Sequence, residues 1–298
     1  MENGKKISEA LQSPVDRRGF VKSVGLGAAG LASAAVVGGK LGILDKIPGI
    51  NRTGLTARAV AAGAITDVDI LNFALNLEYL EAEFYTVVTT GKTLAQSGFN
   101  LNGTGTPGPT TGGGIVSFLS SSGGVEVTKQ LKAVMAEITY DEQQHVHLLR
   151  GALGADAIAK PAINLDALGT GYEGFMHCIA VARAFEDVGV SAYGGAAPLI
   201  SSKDYLGVAA QIALTEAYHA GTLRLICAAN NDAFLFKVDG RDILPPPNGT
   251  QYFPVDYQAL ARTRTTSEVL AIVYANSTSG ATGGGFYPNG MNGNITTV

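Results

Sequence analysis

The sequence predicts an all-α fold, a four-helix bundle of two antiparallel hairpins with an irregular C-terminal extension. Four stretches after residue 65 carry apolar side chains at steps of three and four, the period of one helix face. The connection between the third and fourth stretches is short, whereas about 20 residues join the second to the third. A carboxylate interrupts the apolar face of each stretch. We expect the bundle over residues 65–231 and the extension, with one short helix, over 232–298.

The N-terminal 64 residues have a different pattern. Residues 16–22, DRRGFVK, precede an Ala- and Gly-rich apolar run that is short and weakly hydrophobic for a membrane span. Paired arginines ahead of such a run resemble a twin-arginine export signal; the alternative is a basic N-terminus followed by a buried helix. Small-x-small cleavage patterns occur at 32–34, 57–59 and 62–64. We expect a signal and linker over 1–64 and a periplasmic or extracellular protein, delivered by the twin-arginine export machinery.

Composition narrows the function classes. The net charge is −4 and only 15% of residues are charged, so nothing in the composition indicates nucleic-acid binding, which usually leaves a basic surface, and we expect no nucleic-acid partner. The two cysteines, Cys178 and Cys227, are too few for a disulfide scaffold. They fall at similar heights in an antiparallel hairpin, so they form either one disulfide or two small buried apolar side chains.

The first helix begins at Thr66 or Asp67, which are good N-cap residues. The second covers about 125–150, closed by Gly151 and Gly154; the third covers about 172–193 and the fourth about 203–229. The residues in line on the four apolar faces are Leu71, Ala74, Glu78, Glu81, Tyr85 and Val88; Leu131, Val134, Ile138, Glu142, His145 and Leu149; Phe175, Ile179, Ala182, Glu186, Gly189 and Tyr193; and Val208, Ile212, Glu216, His219, Leu223 and Ile226.

Two topologies are compatible with the connection lengths. A helix of 25 residues is about 37 Å long, and the connection over 151–170, if extended, spans that distance. Two hairpins joined by a long crossover would use it in this way. The Gly-, Thr-, Ser- and Pro-rich loop over 91–124 is also long. The alternative is therefore up-down-up-down packing with a decorated first loop.

The chemistry is concentrated in two Glu-x-x-His pairs. Glu142 and His145 are repeated 74 residues later by Glu216 and His219, and side chains three apart share a helix face. Glu186 supplies a carboxylate on the third helix. Several buried carboxylates are costly unless cations neutralise them. We therefore expect four glutamates and two histidines in one bundle core to bind two iron or manganese ions.

The carboxylate of the first helix is either Glu78 or Glu81, which lie on the same face. We expect Asp141 and His147 to take no part in the site, and His177 to lie on the opposite face of its helix. Three acidic residues fall off the apolar faces and are expected in solvent or behind the ligands: Glu83, Glu137 and Asp187.

Several stretches resemble known proteins. NLEYLEAEFY at 76–85 is similar to the first helix of ferritins, in which a ligand glutamate precedes a tyrosine by seven residues. Together with DEQQHVHLLR, FEDVGVSAY and the tail over 264–295, it resembles the ferritin-like, desiccation-related proteins. The resemblance implies a ferritin-like fold and favours Glu78 over Glu81 as a metal ligand. Its other implied ligands are Glu142, His145, Glu186, Glu216 and His219. Tyr85 is then either a core aromatic or a redox-active catalytic residue beside the metals.

Two functions follow as expectations. The first is an exported di-iron or di-manganese oxidoreductase that acts on Fe(II), O₂ or peroxide in stress protection, as a ferroxidase, a peroxidase or a catalase-like enzyme. The second is a non-catalytic protective or structural envelope protein with a structural metal site. We expect the extension to cover one end of the bundle or to contact a second subunit in a homo-oligomer. The long first loop and the tail make a hollow storage cage the less favoured assembly.

Overall fold

The computed structural model describes residues 65–116, 126–169, 171 and 174–298, and for 126–128 the backbone alone. The predicted export signal lies outside these residues. The described part of Asp67–Val298 belongs to one compact unit. Its regular elements are α1 (Asp67–Thr90), β1 (Thr110–Thr111), α2 (Glu126–Leu153), β2 (Ile163–Asn164), α3 (Phe175–Ala196), α4 (Lys203–Ala229) and α5 (Thr266–Val273). Single 3-10 turns, Gly154–Asp156 and Ala197–Leu199, follow α2 and α3.

The all-α prediction is confirmed, and the four long helices lie close to their expected positions. The end of α2 differs, because the helix continues through Gly151 to Leu153. The start of α4 is capped by Ser202, whose side chain accepts a hydrogen bond from the amide of Tyr205. The short helix α5 begins with a capping box, in which Thr265 and Glu268 each satisfy the other's backbone amide.

Contacts between helices establish the direction of each helix. In the first hairpin Thr86 pairs with Gln143 and Tyr79 pairs with Arg150, so α1 and α2 are antiparallel. The short connection from Ala197 to Ser202 makes α3 and α4 antiparallel as well.

The relation between the hairpins decides the topology. The carboxylate of Asp67 at the start of α1 accepts hydrogen bonds from the amides of Ser201 and Ser202, just ahead of α4. The end of α2 and the end of α3 therefore lie at the same end of the bundle. The connection from Gly154 to Gly174 must run to the opposite end before α3 begins, which is the long crossover.

The crossover is held against the first loop and α1. Strands β1 and β2 pair in parallel, with Thr110 opposite Ile163 and Thr111 opposite Asn164. The Asn72 side chain accepts a hydrogen bond from the amide of Ile158. These contacts fix the path of a long irregular segment whose backbone groups need partners when buried.

The C-terminal extension packs along the bundle. Asn292 contacts Asn76 on α1 and Ala159 in the crossover, and the Tyr287 hydroxyl donates to the carbonyl of Asn76. Nearly every residue of α1 from Ile70 to Val88 is consequently buried, although one apolar face was expected. The extension thus supplies a second buried face for α1.

Within the described residues, no helix is both long enough and apolar enough to cross a membrane. Cys178 and Cys227 are both buried and both carry free thiols. Burial raises the pKa of each thiol to about 12, and the charge of Asp232 adds to the shift at Cys227. Of the two alternatives for the cysteines, the structure has the pair of small buried side chains.

Candidate metal centre

The middle of the bundle holds a cluster of carboxylates and imidazoles contributed by all four long helices. All four central glutamates are fully buried, with 0% of their surface exposed: Glu78, Glu142, Glu186 and Glu216. His145 and His219 follow α2 and α4 glutamates by three residues and point into the same cluster, as one helix face requires. The structure therefore brings all six expected ligands together.

These six residues form two overlapping groups. Glu78, Glu142, His145 and Glu216 offer ligand atoms that all lie within 4.8 Å of one another; this is the first quartet. The second quartet consists of Glu142, Glu186, Glu216 and His219, at the same spacing. Glu142 and Glu216 belong to both. Each quartet has its own histidine and its own terminal glutamate.

Both histidines turn the same ring nitrogen towards the carboxylates. His145 Nδ1 lies 3.2 Å from Glu78 Oε2, 3.3 Å from Glu142 Oε2 and 3.3 Å from Glu216 Oε1. His219 Nδ1 lies 3.1 Å from Glu142 Oε1 and 3.2 Å from Glu186 Oε2. The two imidazoles thus occupy equivalent places about the shared pair of glutamates.

The electrostatics show how crowded the negative charge is. Burial and the charge of Glu216 raise the pKa of Glu142 to about 7. Burial and the charge of Glu186 raise the pKa of Glu216 well above its usual range. Burial lowers the pKa of His219, but hydrogen bonds and charge from Glu142 and Glu186 outweigh that effect and raise it to about 12. Ionisation of all the carboxyls together requires added positive charge.

The donor set fits divalent cations. Glu142 Oε1 and both carboxylate oxygens of Glu216 are buried; the first lies beside His219 Nδ1 and Glu216 Oε1 beside His145 Nδ1, whereas Glu216 Oε2 has no hydrogen-bond partner among the described residues. Buried carboxylate oxygens without partners cost free energy unless a cation or a donor satisfies them. These oxygens belong to the two glutamates that the quartets share. Mixed carboxylate and imidazole donors suit iron or manganese, whereas soft thiolate sites suit other metals.

Two tyrosines adjoin the terminal glutamates. The Tyr85 hydroxyl donates a 2.5 Å hydrogen bond to Glu186 Oε1, and the Tyr193 hydroxyl donates to Glu78 Oε1. Burial raises the pKa of both phenols well above the usual value, and the charges of Glu186 and Glu78 respectively raise it further. Each phenol therefore remains protonated and holds one terminal glutamate. The sequence placed Tyr193 on the apolar face of α3. Its contact with Glu78 could not be predicted, because that contact depends on how α3 packs against α1.

Glu81 lies beside the quartets without belonging to either. It is 4% exposed, and burial followed by the charges of Glu216 and Glu142 raises its pKa well above the usual range. Gly189 on α3 leaves room for both carboxylates, because a Cβ there would lie 2.7 Å from Glu216 Oε2 and 3.1 Å from Glu81 Oε1. Of the two α1 candidates, Glu78 offers a ligand atom to the first quartet, and Glu81 belongs to neither quartet.

Asp141 touches the site, so the expectation that it takes no part is wrong. Its Oδ2 lies 3.1 Å from His219 Nε2, the ring nitrogen remote from the carboxylate cluster. A carboxylate in that position orients the imidazole and fixes its tautomer. The Glu-x-x-His pattern in the sequence points to the neighbouring Glu142 and not to Asp141. The contact between Asp141 and His219 becomes visible only when α2 packs against α4.

The remaining acidic and histidine candidates lie away from the quartets. Glu83 and Asp187 are buried, so solvent exposure, one of the two environments expected for them, is wrong. Glu83 accepts a hydrogen bond from the amide of Leu94, and Asp187 Oδ2 lies 2.7 Å from Arg224 Nη1. The other three are Glu137 and His147, which are exposed, and His177, whose ring lies against Phe234.

The fold and the cluster together define a four-helix carboxylate protein. A family model described as a ferritin-like domain matches residues 66–229, more than half of the chain. The chain therefore belongs to the ferritin-like domain family. Searches of curated proteins and of solved structures each found no significant match.

Proposed function

We propose that this chain is an exported di-metal carboxylate oxidoreductase that acts on Fe(II), O₂ or peroxide. The observation that carries the proposal is the sharing of Glu142 and Glu216 by two quartets. One shared pair of carboxylates with a separate histidine on each side is an arrangement for two adjacent cations. Two iron or manganese ions bound there would supply adjacent redox centres for a two-electron reaction.

The chain's own residues then have distinct tasks. Glu142 and Glu216 would contribute to the binding of both cations, and Glu78 with His145 and Glu186 with His219 would each complete one side. Tyr85 donates its phenolic proton to Glu186 and lies fully buried beside the cluster. We propose that this tyrosine is the redox-active or proton-delivering residue of the site.

A small cleft beside the cluster supports the proposal of a small polar substrate. The cleft has a volume of about 210 Å³ and is lined by residues of α2 and α4 that include Glu137, Asp141, Thr215 and His219. It reaches the imidazole of His219 directly. Acidic and hydroxyl groups along such a path suit Fe(II) or peroxide better than an apolar molecule.

Export and a protective role are further parts of the proposal. They are supported by the paired arginines in DRRGFVK and by the resemblance to desiccation-related proteins. The twin-arginine machinery carries folded proteins, which suits a site assembled from four packed helices. Expression of the full chain with Arg17 and Arg18 changed to lysine tests this part. We expect loss of the periplasmic form, and unchanged export would contradict it.

The redox proposal is tested by metal content and turnover in the same samples. Purified protein loaded with iron or manganese should hold two ions per chain, and Glu142→Ala or Glu216→Ala should lower the content at both positions. Asp204→Ala, an exposed acidic change on α4 away from the cleft, is the matched control. Loaded protein should oxidise Fe(II) or consume peroxide, and Tyr85→Phe should slow turnover without changing metal content. Two bound ions without turnover would favour the non-catalytic alternative.

A further inference from the structure

A large apolar cavity lies on the side of the cluster away from the α2–α4 cleft. Its volume is about 600 Å³, and it is bounded by α1, α3, α5 and residues 236–241 of the extension; we call it the α1–α5 cavity. Buried apolar side chains line its inner part, including Leu77, Leu80 and Phe185. Exposed residues such as Ser277 line its outer part, so the cavity opens to solvent there. Cavities of this size and lining accommodate small organic molecules.

The inner end of the cavity is polar at one place. Glu81 and Gly189 both line it, and both also adjoin Glu216 of the metal cluster. The Glu81 side chain is 96% buried, since 4% of its surface is exposed, and it lines the cavity. A ligand that filled the cavity would remove the last solvent contact of this carboxyl group, and a hydrogen bond donated by the ligand would replace it.

The surroundings determine the chemical class of the ligand. Its body must be apolar, because α1, α3 and α5 present aliphatic and aromatic side chains. An anionic group at the inner end would lose its hydration beside the acidic side chains of Glu81 and Glu216. We propose that the α1–α5 cavity binds a neutral, largely apolar alcohol or phenol, with its hydroxyl group at Glu81.

This binding site goes beyond the redox proposal and does not depend on it. The cleft lined by Asp141 and His219 approaches the cluster between α2 and α4, whereas the cavity approaches it between α1 and α3. An organic molecule at Glu81 therefore leaves the polar route free. Measuring binding and metal content separately distinguishes failure of the cavity proposal from failure of the metal proposal.

Three naphthalene compounds test the proposal on the intact protein, both metal-free and loaded. The chain contains no tryptophan, so naphthalene fluorescence can be followed without protein emission at long excitation wavelengths. We expect 1-naphthol to bind at one site per chain, about tenfold more tightly than naphthalene, as one hydrogen bond to the buried carboxyl group of Glu81 allows. 1-Naphthoate should bind more weakly than either. Equal affinities for the three compounds, or no saturable binding, would overturn the proposal.

Variants locate the site. Ala271→Phe on α5 fills the cavity and should abolish binding of both neutral probes, whereas Ala136→Phe, an exposed change on α2, should not. Glu81→Leu should lower naphthol affinity about tenfold and spare naphthalene, and Glu81→Gln should retain the preference because the amide oxygen accepts. Unchanged naphthol binding in Glu81→Leu refutes the assignment.

A crystallographic measurement covers the case in which a variant fails to fold. Crystals of the unchanged protein soaked with 4-bromo-1-naphthol should show one anomalous bromine peak between α1 and α5. A peak elsewhere, or none at saturating probe, would overturn the proposal.

Discussion

Replacement of Glu216 by methionine should change stability in opposite directions with and without metal. Both oxygens of Glu216 are buried, and Oε2 has no hydrogen-bond partner among the described residues. Burial with the charge of Glu186 raises the pKa of Glu216 well above the usual range. An unbranched apolar side chain of similar length removes this cost. We expect the metal-free Glu216→Met protein to be more stable than the unchanged protein by about 1–3 kcal/mol.

Metal reverses the order. At a free metal concentration of about 1,000 times Kd, one bound ligand stabilises the folded state by about 4 kcal/mol, and two sites add further stability. Glu216 belongs to both quartets, so the variant loses this contribution at both. In thermal unfolding with chelator we expect the variant to melt roughly 2–12 °C above the unchanged protein, the range expected for a compact unit of this size. In excess metal we expect the variant to melt below the unchanged protein.

The control for this experiment is Glu137→Met, an exposed change on α2. It should shift stability by less than about 0.5 kcal/mol under either condition. If Glu216→Met melted below the unchanged protein in chelator, the buried carboxyl group would not be a cost in the folded state. If excess metal stabilised both proteins equally, Glu216 would not be a ligand.

Three further outcomes follow from the same contacts. Asp187→Ala should cost about 3–5 kcal/mol in denaturant unfolding, because it leaves two buried arginines short of a carboxylate. Gly189→Ala should lower metal content measured by elemental analysis, because its Cβ would press on the cluster carboxylates. Metal-free protein should lose stability as pH rises from about 5 to 8, measured by urea midpoints. The pKa of Glu142 is raised to about 7 and that of His219 to about 12, so the folded state holds protons that the unfolded chain releases.

Each of these outcomes has a contrary result. An Asp187→Ala protein within about 1 kcal/mol of the unchanged one would mean that the buried ion pairs contribute little. Full metal content in Gly189→Ala would show that the carboxylates move aside freely. A urea midpoint that rises from pH 5 to 8 without metal would contradict the raised pKa values, whereas metal affinity itself should rise with pH because the ligands must lose protons.

The helices could be predicted because helix-capping residues and the spacing of apolar residues indicate the same boundaries. The spacing of apolar residues indicated the four helices, and the connection lengths allowed the long crossover without excluding up-down-up-down packing. The full burial of α1 could not be predicted, since it depends on Tyr287 and Asn292, more than 200 residues away in sequence. No local pattern reports which distant segment covers a second helix face.

The site, too, could be predicted where the signal lies within one helix and not where it depends on packing between helices. The repeated Glu-x-x-His spacing placed Glu142, His145, Glu216 and His219 on inward faces, because residues three apart share a helix face. The contact of Asp141 with His219 joins two helices and leaves no trace in the spacing of either. The close approach of Gly189 to Glu216 is likewise set by how α3 and α4 pack.

The central claim is that one bundle holds two adjacent cations on shared glutamates. Anomalous diffraction from crystals of the protein loaded with iron or manganese, recorded at the absorption edge of the metal, tests this claim most directly. We expect two peaks per chain, one within each quartet, with Glu142 and Glu216 in contact with both. No peak among these residues, or one peak bound by neither shared glutamate, would contradict it.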